Sequence, residues 1–310
     1  MTKRAGMRFG IALLMSAASI SVAACGQGGE GKAGAPKSVA AASGNEATQN
    51  KFSLYTEAFN DLIDDFFGVQ KNYNDYVEEN IPAASATSSI SFSENISTLE
   101  RSLAKLREGR ALAGGAQAAK ADAAVDALLT EGDKLLAQWK TLDTYYESKA
   151  YRDDNLAKGK AAHPALISAY EGTLGAIQSL DAALTEHLRA RDAARVAEFQ
   201  RKGNTAAYNV MNTMQLADLF SSAVIDGNTA EADRLLPLVV AANAELHKTE
   251  AATAAGADNK VEYDLISGYI DGMIGDYRDF KQDGDQSDRK DVVDAYNNAV
   301  EQMNDIEFAD

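Results

Sequence analysis

The sequence predicts an all-α protein, an elongated bundle of about seven to eight helices with no sheet. Three observations support this fold class. Apolar residues recur at alternating intervals of three and four, which places them on one face of successive helices. The 310 residues include only four prolines. No segment shows the two-residue alternation of a half-buried strand, and no dipeptide marks a hairpin turn.

The first predicted helix begins near Lys51 and ends before Asn80 and Pro82. Its seam is spaced 3, 4, 3, 4, 3, 4 and 3 and consists of Phe52, Tyr55, Phe59, Leu62, Phe66, Val69, Tyr73 and Tyr76. Asp64 and Asp65 are adjacent, so on a helix they point about 100° apart. We therefore interpret them as a solvated flank rather than as an acid–base pair.

Two further helices precede the centre of the chain. Ser91 and Glu94 match a capping box that would start the second helix, and Gly114 with Gly115 ends it. The third helix is rich in alanine. The two seams consist of Phe92, Ile96, Leu99, Leu103 and Leu106, and of Val125, Leu128, Leu135, Trp139, Leu142 and Tyr146.

The fourth helix is predicted to have Pro164 in its first turn, where a missing N–H is tolerated. Its seam consists of Ile167, Tyr170, Leu174, Ile177, Leu184 and Leu188, and the pattern persists to Phe199. Gly203 ends it, and Asn204 or Thr205 is suited to cap the fifth helix.

Three helices complete the predicted bundle. Asn228 or Thr229 is suited to cap the sixth helix, in which Pro237 predicts a kink. A loop from Asp283 to Asp288 separates the seventh helix from the eighth. Their seams consist of Ile266, Tyr269, Ile270, Met273, Tyr277 and Phe280, and of Val292, Tyr296, Val300 and Met303.

The first 24 residues have the pattern of a secretory signal peptide. Lys3, Arg4 and Arg8 form a positive region, and a short apolar run over 9–24 ends in small residues before Cys25. This junction resembles the lipobox of bacterial lipoproteins, which implies that Cys25 becomes the lipid-modified first residue. Gly26 then favours the outer membrane over the inner membrane.

Cys25 is the only cysteine, which excludes a disulfide within the chain. Several acyl chains would hold such a protein durably on its membrane, facing the periplasm. Removal of the three basic residues of the signal peptide takes the formal charge from −16 to −19. Such a charge argues against binding to nucleic acid or to anionic lipid.

Residues 25–49 are predicted to form a flexible tether, because they include almost no large apolar side chain. Residues 50–310 are predicted to form one helical domain, because no linker-like segment interrupts them. The tether would hold that domain near the membrane without fixing its orientation.

The segment between the third and fourth helices concentrates aromatic, acidic, basic and histidine side chains. Its candidate ligand-binding residues are Tyr146, Tyr151, Asp153, Asp154, Asn155, Lys158 and His163. Turns use the same residue types, because short polar side chains accept backbone N–H groups. We favour a capped structural crossover, in which Lys158 and Lys160 pair with the carboxylates and His163 is extended before Pro164. A ligand pocket is the alternative.

Three segments of the chain resemble the YiiG-like lipoproteins, a bacterial family built around a domain of unknown function. They are YYESKAYRDDNLAKGKAAHP from Tyr145, KFSLYTEAFNDLI from Lys51 and VVDAYNNAVEQMN from Val292. The resemblance implies a helical lipoprotein of the cell envelope. It implies no catalytic residue.

The sequence contains no recognised catalytic or cofactor-binding motif. His247 and Glu250 share a helix face but supply only two metal ligands, and Asp283-Gly284-Asp285 lacks the rest of a calcium loop. We therefore expect no enzyme activity, no metal and no cofactor. The leading hypothesis is a membrane-anchored interaction or accessory module of the envelope with a protein partner. The alternative is a periplasmic binding lipoprotein for a small ligand or metal ion, using the segment 145–164.

Overall fold

The computed structural model describes residues 47–63, 91–254, 257, 259–306 and 308. These residues form eight α-helices and no strand, so the all-α prediction is confirmed. The signal peptide, Cys25, most of the tether and the predicted seam beyond Leu62 lie outside the described residues. The last three residues predicted as tether, 47–49, are already helical.

The described residues contain eight helices. They are α1 (47–63), α2 (Ser93–Ala111), α3 (Ala119–Glu147), α4 (Ala157–Lys202), α5 (Thr205–Ile225), α6 (Thr229–Ala252), α7 (Lys260–Asp283) and α8 (Gln286–Asn304). Short connections join those from α4 to α8. Single turns of 3-10 helix, Ala116–Ala118 and Ala150–Arg152, precede α3 and follow it. None of the helices in the described part of the chain is long and apolar enough to cross a membrane.

The chain divides into two compact units, where the sequence predicts one domain over 50–310. The first unit lies within Cys25–His187 and the second within Leu188–Asp310. The division falls inside α4, which is 46 residues long. Because the boundary between the units lies inside a continuous helix, neither a change in composition nor a linker marks it in the sequence.

The first unit is built around Trp139, whose side chain is 1% exposed. Its indole Nε1 donates to the hydroxyl of Tyr170 at 2.8 Å, and the two rings meet edge to face. The ring of Phe92 stacks on that of Trp139 with ring centroids 6.2 Å apart. Helix α3, helix α4 and the start of α2 thus meet at one aromatic cluster, in which Trp139 and Tyr170 use the polar ends of their rings as well as the apolar bodies.

The core of the second unit contains residues from α5, α6, α7 and α8. Phe220 and Tyr277 meet edge to face at 4.9 Å between ring centroids. The buried residues around them include Val210, Leu235, Val239, Leu246, Ile266, Ile270, Met273, Val292 and Val300. Along α6, α7 and α8 they recur at intervals of three, four, seven or eight residues, which keeps them on one helix face as the apolar seams predict.

The starts of the helices show which local sequence signals were sufficient to predict a helix cap. The side chains of Asn204 and Asn228 accept the backbone N–H of Ala207 and Glu231 at 3.2 Å, so both predicted caps are confirmed. The capping box at Ser91 and Glu94 is wrong, because α2 begins at Ser93 after Phe92 and has no side-chain cap. The ring of Phe92 is buried at this point, so packing rather than capping sets the start of α2.

Candidate functional site

The segment after α3 reverses direction through three residues with left-handed backbone. Lys149, Asn155 and Leu156 have φ values of 58°, 51° and 66°. Asparagine adopts this conformation readily, whereas a lysine or leucine there is strained and must be held by its surroundings. Leu156 is held on both sides, since its N–H donates to Tyr151 at 3.0 Å and its carbonyl accepts from Lys160 at 2.9 Å.

Three tyrosines bury their rings beneath this turn. Tyr145, Tyr146 and Tyr151 are 4%, 5% and 7% exposed. The ring centroids of Tyr145 and Tyr146 are 4.9 Å apart, and those of Tyr146 and Tyr151 are 5.8 Å apart. Mutual contact of aromatic rings in these orientations is favourable beyond simple burial. Two candidate residues, Tyr146 and Tyr151, therefore serve as a small core for the crossover.

Asp154 links this tyrosine cluster to the start of α4. Its Oδ1 accepts the hydroxyl of Tyr145 at 2.6 Å, and its Oδ2 accepts the backbone N–H of Lys158 at 3.0 Å. The hydrogen bond from Tyr145 holds the pKa of Asp154 below its usual value. Burial, together with the bond to Asp154, raises the pKa of Tyr145. Both side chains are thus engaged in holding the turn.

The remaining polar candidates do not converge with this pair. Asp153 and Asn155 are exposed, whereas Tyr151 is buried. The ammonium of Lys158 lies over the ring of Tyr145, 5.3 Å from its centroid, instead of beside a carboxylate. Such a cation–π contact is a modest stabilising interaction at an exposed position. Lys158 therefore contributes its backbone to Asp154 and its side chain to Tyr145.

His163 and Pro164 lie inside α4, contrary to the sequence prediction. The helix begins at Ala157, so His163 is helical and Pro164 is not in the first turn. Asp154 caps α4 at an earlier start than predicted. The preference of proline for the first turn of a helix does not reveal this. Because proline has no N–H, the carbonyl of Lys160 lacks its usual donor four residues on. Nδ1 of His163 is buried and has no hydrogen-bond partner among the described residues.

Gly159 is required where the first turn of α4 meets the tyrosine cluster. A methyl group at this position would overlap the hydroxyl oxygen of Tyr146. We expect Gly159→Ala to lower the free energy of unfolding by about 1–3 kcal/mol, since an overfilled contact forces neighbouring groups apart. Urea unfolding followed by circular dichroism measures this change.

Gly175 provides a matched control within the same helix. A methyl group there would meet nothing within 4 Å. Alanine is the better helix former by about 0.8–1 kcal/mol, so Gly175→Ala should raise the free energy of unfolding slightly. Equal effects of the two substitutions would contradict the close contact at Gly159.

The other motifs singled out in the sequence are occupied by structural contacts. His247 contacts Asp271 at 2.8 Å, whereas Glu250 binds Lys260 at 2.8 Å, so this helical pair is divided between two different partners. His187 stacks on Phe52. No group of three or more potential metal ligands occurs within the described ranges.

The acidic loop before α8 is a capped turn. Asp283 accepts the N–H of Asp285 at 2.9 Å, and Asp285 in turn accepts the N–H of Ser287 at 2.9 Å. Gly284 has a φ of 79°, which favours glycine. These contacts account for the residues that resemble part of a calcium loop. Asp64 and Asp65 lie outside the described residues.

A buried polar cluster in the first unit was not anticipated from the sequence. Lys51 is 1% exposed, and its Nζ donates to Oδ1 of Asp122 at 2.7 Å. The hydroxyl of Tyr55 donates to the same oxygen at 2.7 Å. Arg110 lies 3.5 Å from the other oxygen of Asp122. The only local signal was Lys51 itself, which lies one turn before Tyr55 on the apolar side of α1.

Comparison with known proteins adds a family match without a function. Residues 46–265 match a family model described as "Protein of unknown function (DUF3829)". No curated protein matches the chain, and no solved structure matches it. The match covers α1 to α6 and the start of α7, and it includes the whole crossover from Tyr145 to Pro164.

Proposed function

We propose a function for this chain from the premise that it belongs to the DUF3829 family of proteins of unknown function. We infer a non-enzymatic, membrane-anchored periplasmic lipoprotein that serves as an interaction or accessory module of the bacterial envelope. Within the family, the three segments quoted from the sequence favour a YiiG-like member. Its partner would be another envelope protein, with no role for nucleic acid.

The engagement of the crossover side chains is the observation that carries this proposal. Tyr145 and the backbone of Lys158 occupy both oxygens of Asp154. Tyr146 and Tyr151 are buried against each other. A catalytic or binding site needs polar groups that converge on a free space. These groups are instead directed at one another, which supports a scaffold role.

The N-terminal sequence supports the anchoring part of the proposal. The charged start, the apolar run and the small residues before Cys25 are in the order that lipoprotein export requires. Gly26 favours sorting to the outer membrane. A flexible tether after Cys25 would let the helical domain reach a partner at a variable distance from the membrane.

Metabolic labelling with palmitate tests the anchor. We expect the wild-type chain to be labelled and to fractionate with the outer membrane on a density gradient. Cys25→Ser should lose the label and leave the membrane fraction, whereas Gly26→Ser should keep both. Retention of label and membrane association by Cys25→Ser would contradict the lipid anchor.

Deletion and cross-linking in intact envelopes test the accessory role. A strain without the protein should show an envelope defect that the wild-type chain restores and Cys25→Ser does not. Cross-linking should recover a defined envelope protein. A strain with no envelope defect, together with no cross-linked protein, would overturn this role.

A binding role for the crossover is the second candidate, and the unpartnered Nδ1 of His163 favours it. The test is native mass spectrometry of the lipoprotein gently extracted from its own envelope. Under this alternative, a discrete added mass of small-molecule or ion size is present and is lost when His163 and Asp153 are both replaced by alanine. The bare lipidated chain alone would exclude it.

A further inference from the structure

One face of α7 is directed away from its core and carries an unusual set of residues. At about 100° per residue, this face occupies an arc of about 80° opposite the buried side of the helix. We call it the α7 stripe, and it consists of Val261, Leu265, Gly268, Gly272 and Gly275. Val261 is 64% exposed and Leu265 is 38% exposed, which is high for large apolar side chains.

The glycines of the α7 stripe are not explained by contacts with the other described residues. A methyl group at Gly268, Gly272 or Gly275 would meet nothing within 4 Å. None of the three has a positive φ. Glycine inside a helix lowers its stability relative to alanine, because it loses more backbone entropy on folding. What the glycines do provide is a smooth surface that another backbone can approach closely.

Carboxylates flank the α7 stripe on both sides. They belong to Glu262 and Asp276 on one side and to Asp264 and Asp271 on the other, and Asp279 lies in line with the stripe beyond Gly275. The lysines at the two ends of α7 are paired away from the stripe, Lys260 with Glu250 and Lys281 with Asp233. Burial and the neighbouring charges of Asp291 and Asp279 raise the pKa of Asp276. Arg278 is exposed on the same side as Asp271, but the carboxylates beside the stripe outnumber it, so negative charge predominates there.

We propose that the α7 stripe docks an amphipathic helix of a partner protein, with a seam of small and apolar residues flanked by lysine or arginine. The apolar and glycine residues supply the close contact, and the flanking carboxylates select a basic partner. A second copy of the chain would place like charges opposite one another. An anionic lipid surface would be repelled in the same way. This inference rests on the proposed interaction role and identifies a surface for it.

A synthetic peptide about as long as α7 provides the probe. One peptide carries an alanine and leucine seam with lysine flanks, a second has glutamate flanks, and a third has the lysine composition with the seam residues scrambled around the helix. Fluorescence anisotropy measures the binding of each labelled peptide to the full lipidated chain in non-ionic detergent. Only the first peptide should bind with an affinity that depends on the stripe.

Gly272→Leu and Gly175→Leu form the matched pair of variants. Both glycines are exposed, lie inside helices and have nothing within 4 Å of an added methyl group. Gly272→Leu should weaken binding of the lysine-flanked peptide by about tenfold or more, because bulk at the centre of a contact prevents close docking. Gly175→Leu should bind as the wild type does. Neither variant should unfold at a lower temperature than the wild type, since leucine is the better helix former.

A separate variant tests whether binding requires the carboxylates beside the stripe. Replacing Asp264 and Asp276 by asparagine should weaken binding of the lysine-flanked peptide and flatten its dependence on salt. Equal binding by Gly272→Leu, equal binding of the scrambled peptide, or no binding at all would overturn the inference. Self-association of the wild type that Gly272→Leu abolishes would assign the stripe to a second copy instead. Cross-linking of an envelope partner to other surfaces would separate failure of this inference from failure of the proposed function.

Discussion

Asp122→Ala is expected to lower the free energy of unfolding by about 3–5 kcal/mol, because it leaves a buried ammonium without its counterion. The ammonium belongs to Lys51, which is 1% exposed and 2.7 Å from Asp122. The hydroxyl of Tyr55 loses its acceptor in the same variant. Guanidinium unfolding followed by circular dichroism measures the loss.

Asp126→Ala is the matched control, one helical turn along α3. Asp126 binds Arg110 at 2.8 Å, but both side chains are largely exposed. Its removal should therefore cost at most about 1 kcal/mol. Replacing the buried pair together, as Lys51→Met with Asp122→Leu, should recover much of the loss, because an apolar pair needs no counterion. Similar losses for Asp122→Ala and Asp126→Ala would contradict the buried cluster.

The contribution of Asp122 to the free energy of unfolding should decrease in acid. Burial opposes ionisation of this carboxyl, but the hydrogen bonds from Lys51 and Tyr55 outweigh it and hold its pKa below the usual value. A lowered pKa stabilises the fold above the ordinary aspartate value of about 3.9, and this contribution is lost as pH falls through the folded-state pKa. The difference between wild type and Asp122→Ala should therefore be constant near neutral pH and shrink in acid.

Tyr277→Ala is expected to lower the free energy of unfolding by about 3–5 kcal/mol, as removal of a buried aromatic ring leaves a cavity. Tyr277 is 1% exposed and packs edge to face on Phe220, which is fully buried. The same unfolding measurement applies.

Tyr277→Phe separates the ring from its hydroxyl. The hydroxyl donates to Oδ1 of Asp233 at 2.8 Å, and burial together with Asp233 raises the pKa of Tyr277. Loss of one hydrogen bond at the edge of the core should cost about 0.5–1.5 kcal/mol. If phenylalanine proved as destabilising as alanine, the stability would come from the bond to Asp233 and not from packing of the ring.

The buried faces of the helices were predictable because the spacing of apolar residues is a local property of the chain. In α3, the predicted seam from Val125 to Tyr146 is buried at every one of its positions. The asparagine caps of α5 and α6 were predictable for the same reason, since each acts on a backbone N–H three residues away. Neither prediction requires knowledge of what packs on the helix.

Contacts between distant segments were not predictable in this way. Lys51 and Asp122 are 71 residues apart, and nothing local indicates which acidic residue the buried lysine meets. The start of α4 was placed too late, because Pro164 suits a first turn but the left-handed residues Asn155 and Leu156 allow Asp154 to cap an earlier one. The residue types of the crossover favoured a capped turn, but they did not indicate that Asp154 would be the capping residue.

The aromatic cluster of the first unit also gives the protein an intrinsic fluorescent probe. Trp139 is the single tryptophan of the chain, and it lies wholly within Cys25–His187. Its indole is shielded from water and hydrogen-bonded to Tyr170, so its emission wavelength and intensity depend on the integrity of that one cluster. When tryptophan is excited at the red edge of its absorption, the fluorescence comes from the first unit alone, and the residues after His187 do not contribute to it.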